Sequence, residues 1–224
     1  MKENMNLIVM LTHNDKTVEN AYYMFDKYCD TQAEFWGFKE EPLLLEEMKK
    51  IYAYMKAKGK KTFLEVVAYS EEEGIRGAEI ALECGCDILM GTIFHDSINN
   101  FCKENNLKYM PFVGKITERP SILEGKIEDI VTEAKNYISK GAYGIDLLGY
   151  RYTGDAVKLN EELVKNIKAP VCIAGSVNSY QRLEELKSIS PWAFTIGGAF
   201  FENKFGTDFG EQINAVCEYV KNNC

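Results

Sequence analysis

Four ionisable side chains stand inside or at the ends of runs that are otherwise apolar. Glu65 interrupts Phe63-Leu64-Glu65-Val66-Val67, Asp146 interrupts Gly144-Ile145-Asp146-Leu147-Leu148, Lys39 ends Phe35-Trp36-Gly37-Phe38, and His13 closes the first β-rich run of the chain. Burying an unpaired charge costs several kcal/mol, so such residues are either paired or used. A lysine and a carboxylate brought together shift each other's pKa, which is the condition a proton-transfer site needs. Glu65 or Asp146 can then take a proton from a carbon next to a carbonyl, while Lys39 polarises the oxygen on which enolate charge develops. A desolvated Lys39, or less readily Lys115, could instead form a Schiff base, as in an aldolase. A purely structural alternative pairs Lys39 with Glu65 and lets Asp146 cap a loop. His13, among Thr12, Asn14 and Asp15, suits either an acid–base role near neutral pH or capping of the first helix. His95, in Phe94-His95-Asp96-Ser97, reads as part of a helix N-terminal cap.

The elements that must position these groups repeat along the chain. Strand-like runs at 7–12, 33–38, 62–68, 86–91, 108–113, 142–148, 170–174 and 192–196 are each followed by a stretch of helical periodicity, at 17–29, 42–58, 70–83, 96–105, 127–140, 155–168, 179–188 and 208–221. Ser70 and Glu73 make a capping-box pair, and Lys58-Gly59, Cys84-Gly85 and Lys140-Gly141 put glycine just past a helix end. Eight strand–helix units in 224 residues predict a single (β/α)8 TIM barrel over residues 1–224, with a parallel sheet. An open doubly wound sheet would carry a Gly-x-Gly-x-x-Gly turn after its first strand, where this chain reads Leu11-Thr12-His13-Asn14-Asp15.

In such a barrel the working face carries the C-terminal ends of the strands. Two glycine turns fall there: Ala174-Gly175-Ser176-Val177-Asn178-Ser179 after strand seven, and Ile196-Gly197-Gly198-Ala199-Phe200-Phe201 after strand eight. Glycine lets backbone N–H groups approach one point, so the two turns either form a cradle for a phosphate dianion, in the position where this fold commonly binds phosphate, or are turns with no ligand. Arg151, in Gly149-Tyr150-Arg151-Tyr152-Thr153, is either a bidentate anion clamp on a closing loop or a solvated loop residue. The connection 114–125 is a second lid candidate, read as a long loop without elements of its own, and Pro111 removes a ladder donor from strand five.

The segments 170–177 (Pro170-Val171-Cys172-Ile173-Ala174-Gly175-Ser176-Val177) and 193–199 (Ala193-Phe194-Thr195-Ile196-Gly197-Gly198-Ala199), with Leu147-Leu148-Gly149-Tyr150, resemble the ribulose-phosphate-binding barrels. That family includes histidine-biosynthesis isomerases, indole-glycerol-phosphate synthases and N-acetylmannosamine-6-phosphate 2-epimerases. The resemblance covers about a third of the chain and implies that Gly175, Ser176, Gly197 and Gly198 hold a substrate phosphate through backbone N–H groups. It departs where the epimerases end strand three in Lys and carry Asp on strand four; here those segments read Glu65-Val66-Val67-Ala68-Tyr69 and Ile88-Leu89-Met90-Gly91-Thr92.

Composition narrows the function classes. With 46% hydrophobic and 12% aromatic residues the chain can fill a core, and a net charge of −8 opposes nucleic acid or an anionic membrane as partner. No stretch approaches a transmembrane helix, and Met1-Lys2-Glu3-Asn4 shows no signal-peptide pattern, so a cytoplasmic location is expected. Seven scattered cysteines, with Cys84-Gly85-Cys86 the tightest pair, read as buried thiols; neither a metal nor a nucleotide cofactor is implied. The stripe Ala21-Tyr22-Tyr23-Met24-Phe25 fits a homodimer face or ordinary core. The reading that results is an isomerase or epimerase working on a small phosphorylated carbohydrate, with a Schiff-base aldolase or lyase, or a non-catalytic barrel sensing a phosphorylated metabolite, as alternatives.

Overall fold

Strand-forming residues recur at the expected spacing and assemble, in the computed structural model, into one parallel sheet that nearly closes on itself. The structure describes residues 5–221; the leader reading at residues 1–4, and Cys224, lie outside the described residues. The barrel strands are β1 (Asn6–Met10), β2 (Phe35–Lys39), β3 (Lys61–Val66), β4 (Ile88–Gly91), β5 (Lys108–Met110), β6 (Ile145–Leu147), β7 (Val171–Ile173) and β8 (Ala193–Ile196). Their order is β6-β7-β8-β1-β2-β3-β4-β5, so β1 sits between the last strand and the second. The seam between β5 and β6 is closed by one parallel bridge, Phe112 with Asp146, and by the Asp146 N–H donating to the Pro111 carbonyl at 3.0 Å. Pro111 has no N–H to give, and β5 ends at Met110 rather than at 113.

Around the barrel lie α1 (Ala21–Tyr28), α2 (Leu45–Ala57), α3 (Glu71–Glu83), α4 (Asp96–Glu104), α5 (Ile127–Ser139), α6 (Ala156–Asn166), α7 (Tyr180–Ile189), a short α8 (Gly198–Phe201) and α9 (Phe209–Lys221). Ser70 caps α3 by accepting from the Glu73 N–H at 3.3 Å. Gly59, Gly85 and Gly141 all have positive φ, the conformation that stops a helix and turns the chain back toward the next strand. In α1 the apolar stripe divides: Ala21 and Phe25 are fully buried, while Tyr22 and Tyr23 are exposed. Among the described residues no helix is long and apolar enough to cross a membrane.

Two-residue alternation splits the apolar residues into two cores. Outward positions such as Val9, Trp36, Leu64, Leu89 and Phe194 pack against the helices. Inward positions form a second cluster of Ile8, Met10, Phe63, Ile88, Met90, Met110, Cys172 and Ala193 inside the barrel. The same alternation points Lys39, Glu65 and Asp146 inward. Two antiparallel hairpins that the sequence reading did not foresee stand on the C-terminal mouth: Thr12–His13 with Lys16–Thr17, and Lys115–Thr117 with Ile122–Glu124.

Gly37 makes the inner layer possible. A Cβ there would lie 2.5 Å from the Phe63 carbonyl oxygen and 2.9 Å from the Phe63 Cβ, so only glycine lets β2 pass that close to β3. Gly37→Ala is therefore expected to destabilise the fold by about 1–3 kcal/mol through overpacking, measured by urea unfolding. An unchanged midpoint would show that the inner layer is loosely packed.

Candidate functional site

The chemistry gathers on the C-terminal mouth because the β1 hairpin folds back over the end of β2. Asn14 and Asp15 both take positive φ, as a two-residue hairpin turn demands, and asparagine and aspartate tolerate that conformation better than most residues. Thr17 then clasps Lys39 from both sides: its hydroxyl donates to the Lys39 carbonyl at 2.7 Å and accepts from the Lys39 N–H at 2.9 Å. This closure sets the Asp15 carboxylate 2.5 Å from the Lys39 ammonium. Across the ladder Lys39 is in register with Glu65, whose Oε1 lies 3.8 Å from Nζ. Burial alone would lower the Lys39 pKa; the Glu65 charge and the hydrogen bond to Asp15 outweigh it and leave it above the ordinary lysine value.

Two further carboxyls stand behind this pair. Asp146 is fully buried, and neither of its oxygens makes a hydrogen bond of normal geometry, although the Gly91 N–H favours its ionised form. Desolvation and the nearby Glu65 charge push its pKa well above the ordinary aspartate range, against Lys39, which pulls the other way. Glu40, which sequence reasoning passed over, accepts the Val67 N–H at 3.1 Å. Burial, reinforced by Glu65, raises its carboxyl from 4.5 to about 7.

Lys39 and Glu65 open onto a cavity of about 670 Å³. Its opposite wall is formed by the turns after β7 and β8, which contribute all four expected cradle residues, Gly175, Ser176, Gly197 and Gly198. Gly175 and Ser176 have φ of +83° and +61°. The Arg182 guanidinium holds this turn by donating to the Ser176 carbonyl and, at 3.2 Å, to Asn178 Oδ1, and it rests on the Tyr150 ring. Gly197 is walled in, with a Cβ there only 2.8 Å from the Thr12 carbonyl, whereas one at Gly198 would meet nothing closer than 3.7 Å. Arg151 follows β6 in a 3-10 turn and lays its alkyl chain over Gly175, where a Cβ would clash with its Cγ at 2.5 Å. Among the described residues its guanidinium makes no ion pair or side-chain hydrogen bond, which leaves it free for an anion at the cavity wall.

The 114–125 connection is a docked hairpin and not the structureless loop expected. Tyr69 donates to the Glu118 carbonyl at 2.6 Å, Arg119 donates to the Val67 carbonyl, and the Tyr152 hydroxyl donates to the Gly125 carbonyl at 2.7 Å. The hairpin is thereby fixed between the loops after β3 and β6, and it brings Arg119 and Ser121 to the cavity.

Three candidates sit apart from the Lys39–Glu65 pair. The His13 ring stacks on Phe201 at 5.5 Å, and a Cβ at the cavity-lining Gly198 would lie 3.7 Å from its Cδ2. Asp146 is fully buried behind the cavity lining, within influence of Lys39 and Glu65. Lys115 is exposed and pairs with Glu124 at 2.8 Å across its own hairpin, which removes it as a Schiff-base candidate. His95 occupies the N-cap position of α4 without a capping hydrogen bond from its side chain. Asp15 and Arg119 were missed; the Asn14-Asp15 pair between Thr12-His13 and Lys16-Thr17 is the hairpin signal that could have revealed the first.

No protein-family model matches the sequence. Phosphoglycerate kinase of Archaeoglobus fulgidus is 25% identical over 177 residues, 77% of this chain, and the chain spans only 44% of that kinase's length. Thiamine phosphate pyrophosphorylase from Pyrococcus furiosus superposes with a TM-score of 0.69 at 15% identity, over 97% of this chain and 96% of that one. The N-acetylmannosamine-6-phosphate 2-epimerase from Clostridium perfringens gives 0.63 at 15% identity, over 87% and 86%. Orotidine 5'-phosphate decarboxylase from Pyrococcus horikoshii OT3 gives 0.70 at 12% identity, over 96% and 99%. The likeness to these three solved structures shows that the chain shares their fold. Their reactions differ from one another, so the fold carries no single reaction with it.

The Glu40 carboxyl predicts a pH dependence with a definite sign. An acid whose native pKa is raised binds its proton more tightly when folded, so its contribution is fullest below the unfolded value of 4.5 and is lost as pH rises through about 7. Glutamine at this position keeps the acceptor for the Val67 N–H and never ionises. The urea midpoint of Glu40→Gln should therefore rise relative to the parent protein as pH increases across that window; parallel midpoints would show that Glu40 is solvated as an ordinary surface acid.

Proposed function

We propose that this protein is an enzyme that anchors a small phosphorylated carbohydrate at the C-terminal mouth of the barrel and interconverts isomers or epimers by proton transfer. The observation that carries this reading is that the Lys39–Glu65 pair and the unpaired Arg151 face one cavity, with the Gly175–Ser176 and Gly197–Gly198 turns beside the arginine. A phosphate held by Arg151 and the turns supplies binding energy remote from the reacting carbons and fixes the carbonyl end toward Lys39 and Glu65.

In this reading Glu65 takes the proton from the carbon next to the carbonyl, and the C–H electron pair moves to the carbonyl oxygen. The Lys39 ammonium stabilises the charge that develops there. Return of the proton to the former carbonyl carbon, while the neighbouring hydroxyl passes its proton to the former carbonyl oxygen and becomes the new carbonyl, gives an isomer; protonation of the original carbon on its opposite face by a second donor such as water, with Glu65 giving up its proton to solvent, gives an epimer. Asp146, fully buried behind this pair, acts as a positioning residue. Schiff-base chemistry fits less well, because it needs a neutral amine and Lys39 is held as an ammonium by Asp15 and Glu65. A barrel that only senses phosphorylated metabolites would bind at the same anchor without moving a proton.

Thermal unfolding against inorganic phosphate and a panel of phosphorylated aldoses and ketoses tests the anchor. A ligand at one hundred times its dissociation constant stabilises by about 2.7 kcal/mol, a shift of a few degrees. Gly198→Asp places a carboxylate in open space at the cradle and should abolish the shift without loss of fold. With the ligand that binds, deuterium from heavy water should enter at the carbon next to the carbonyl, and Glu65→Gln should slow that exchange by about 100-fold or more while retaining the shift. No shift with any phosphorylated ligand overturns the reading; a shift without exchange leaves the sensing barrel.

A further inference from the structure

The opposite, N-terminal mouth of the barrel holds a second cavity, of about 560 Å³, in the size range of small-molecule sites. In this fold that face ordinarily serves stability. Here inward alternation brings aromatic rings to the strand starts: Phe35 and Phe63 stand 5.4 Å apart, and Trp192 lies 5.7 Å from Phe35 and 6.3 Å from Phe63. Tyr143 meets Trp192 edge-on at 6.2 Å. Phe35, Tyr143 and Trp192 are only partly buried, so ring surface is left facing the cavity above the inner core.

Charge around this mouth is unbalanced. Its carboxylate, Asp87, is already engaged by the Thr62 N–H and hydroxyl at 2.8 and 2.9 Å and stands 3.6 Å from Lys56. Lys56 in turn donates to the Gly85 carbonyl at 2.7 Å. Lys61 and Lys108 also line the cavity, and among the described residues neither has a carboxylate within ion-pairing distance; the Lys108 ammonium sits 4.5 Å over the Tyr143 ring. Two uncompensated lysines beside a set of rings, in a chain of net charge −8, make a place where an apolar plane and an anionic group are both satisfied.

We infer that the N-terminal mouth is a binding site for a small planar aromatic anion, its ring packed against Phe35 and Trp192 and its carboxylate met by Lys61 and Lys108. The site is separate from the phosphate anchor and does not depend on the proposed reaction. An ion of this class bridges strand starts of β2, β3, β5 and β8, so its occupancy stiffens the barrel end remote from the chemistry.

The two tryptophans of the chain allow a direct test. Trp36 is fully buried in the outer core, with its indole N–H on the Ala33 carbonyl at 3.0 Å, whereas Trp192 borders the cavity. In the nitrogen-15 spectrum of the full chain, 2-naphthoate should shift the Trp192 indole resonance saturably and leave that of Trp36 in place, with assignment by Trp192→Phe. The neutral analogue 2-naphthalenemethanol, and the exposed-lysine variant K61Q/K108Q, should each raise the dissociation constant by about tenfold or more, equivalent to about 1.4 kcal/mol. Inorganic phosphate should leave the naphthoate titration unchanged. A shift that does not saturate, equal affinity for the neutral analogue, or full affinity in a folded K61Q/K108Q variant overturns the inference.

Discussion

One ammonium among four carboxyl groups is the constraint around which the C-terminal mouth is organised. Lys39 feels Asp15, Glu65 and Glu40, and Asp146 lies beneath it. Desolvation and mutual repulsion around this ammonium favour the protonated form of the acids that keep least water. Burial decides which ones. Asp146, fully enclosed, is pushed furthest above its ordinary range, and Glu40 rises to about 7. Asp15 and Glu65 are the two that meet the ammonium at ion-pairing distance. The acid–base character of the mouth is thus set by how much water each carboxyl keeps.

That arrangement follows from strand alternation. Phe35, Gly37 and Lys39 on β2 face the same interior as Lys61, Phe63 and Glu65 on β3, with Phe35 opposite Lys61, Gly37 opposite Phe63 and Lys39 opposite Glu65. The ladder therefore stacks three layers: rings and a lysine at the bottom, an apolar plug in the middle, a charged pair at the top. Gly37 yields its volume to Phe63, and the plug that results separates the two mouths. A single register fixes both cavities, and a slip of one residue would turn every one of these side chains out toward the helices.

The sequence made the barrel legible because each strand and helix carries its own local signal: a short β-rich run, a periodic stretch, a glycine stop. All eight strand–helix units appear where periodicity put them, with ends trimmed by a few residues, as at β6, expected over 142–148 and found as Ile145–Leu147. Glu65 and Lys39 were also visible, since a charge in an apolar run is itself a signal. What local pattern could not give was depth. Asp146 carries the same mark as Glu65, yet one lies under the cavity and the other lines it. The two hairpins were lost for a different reason: strands of two or three residues are too short to show a period, and their place over the mouth is set by contacts such as Thr17 with Lys39 and Tyr69 with Glu118. The packing of the His13 ring on Phe201, nearly 190 residues away in sequence, was beyond local pattern altogether.

The first of these hairpins also decides how Lys39 can act. An ammonium has three N–H donors. Asp15 takes one in a short hydrogen bond, while Glu65, at 3.8 Å, contributes charge without reaching hydrogen-bond distance. Two donors therefore remain for oxygen atoms of a ligand, and the Asp15 contact, clasped from behind by Thr17, keeps Lys39 from collapsing fully onto Glu65. A direct, close Lys39–Glu65 salt bridge would satisfy both groups and leave neither for chemistry. Held apart by a third residue, they stay oriented and incompletely satisfied at the edge of a cavity, and the cost of that arrangement is borne by packing in the barrel below.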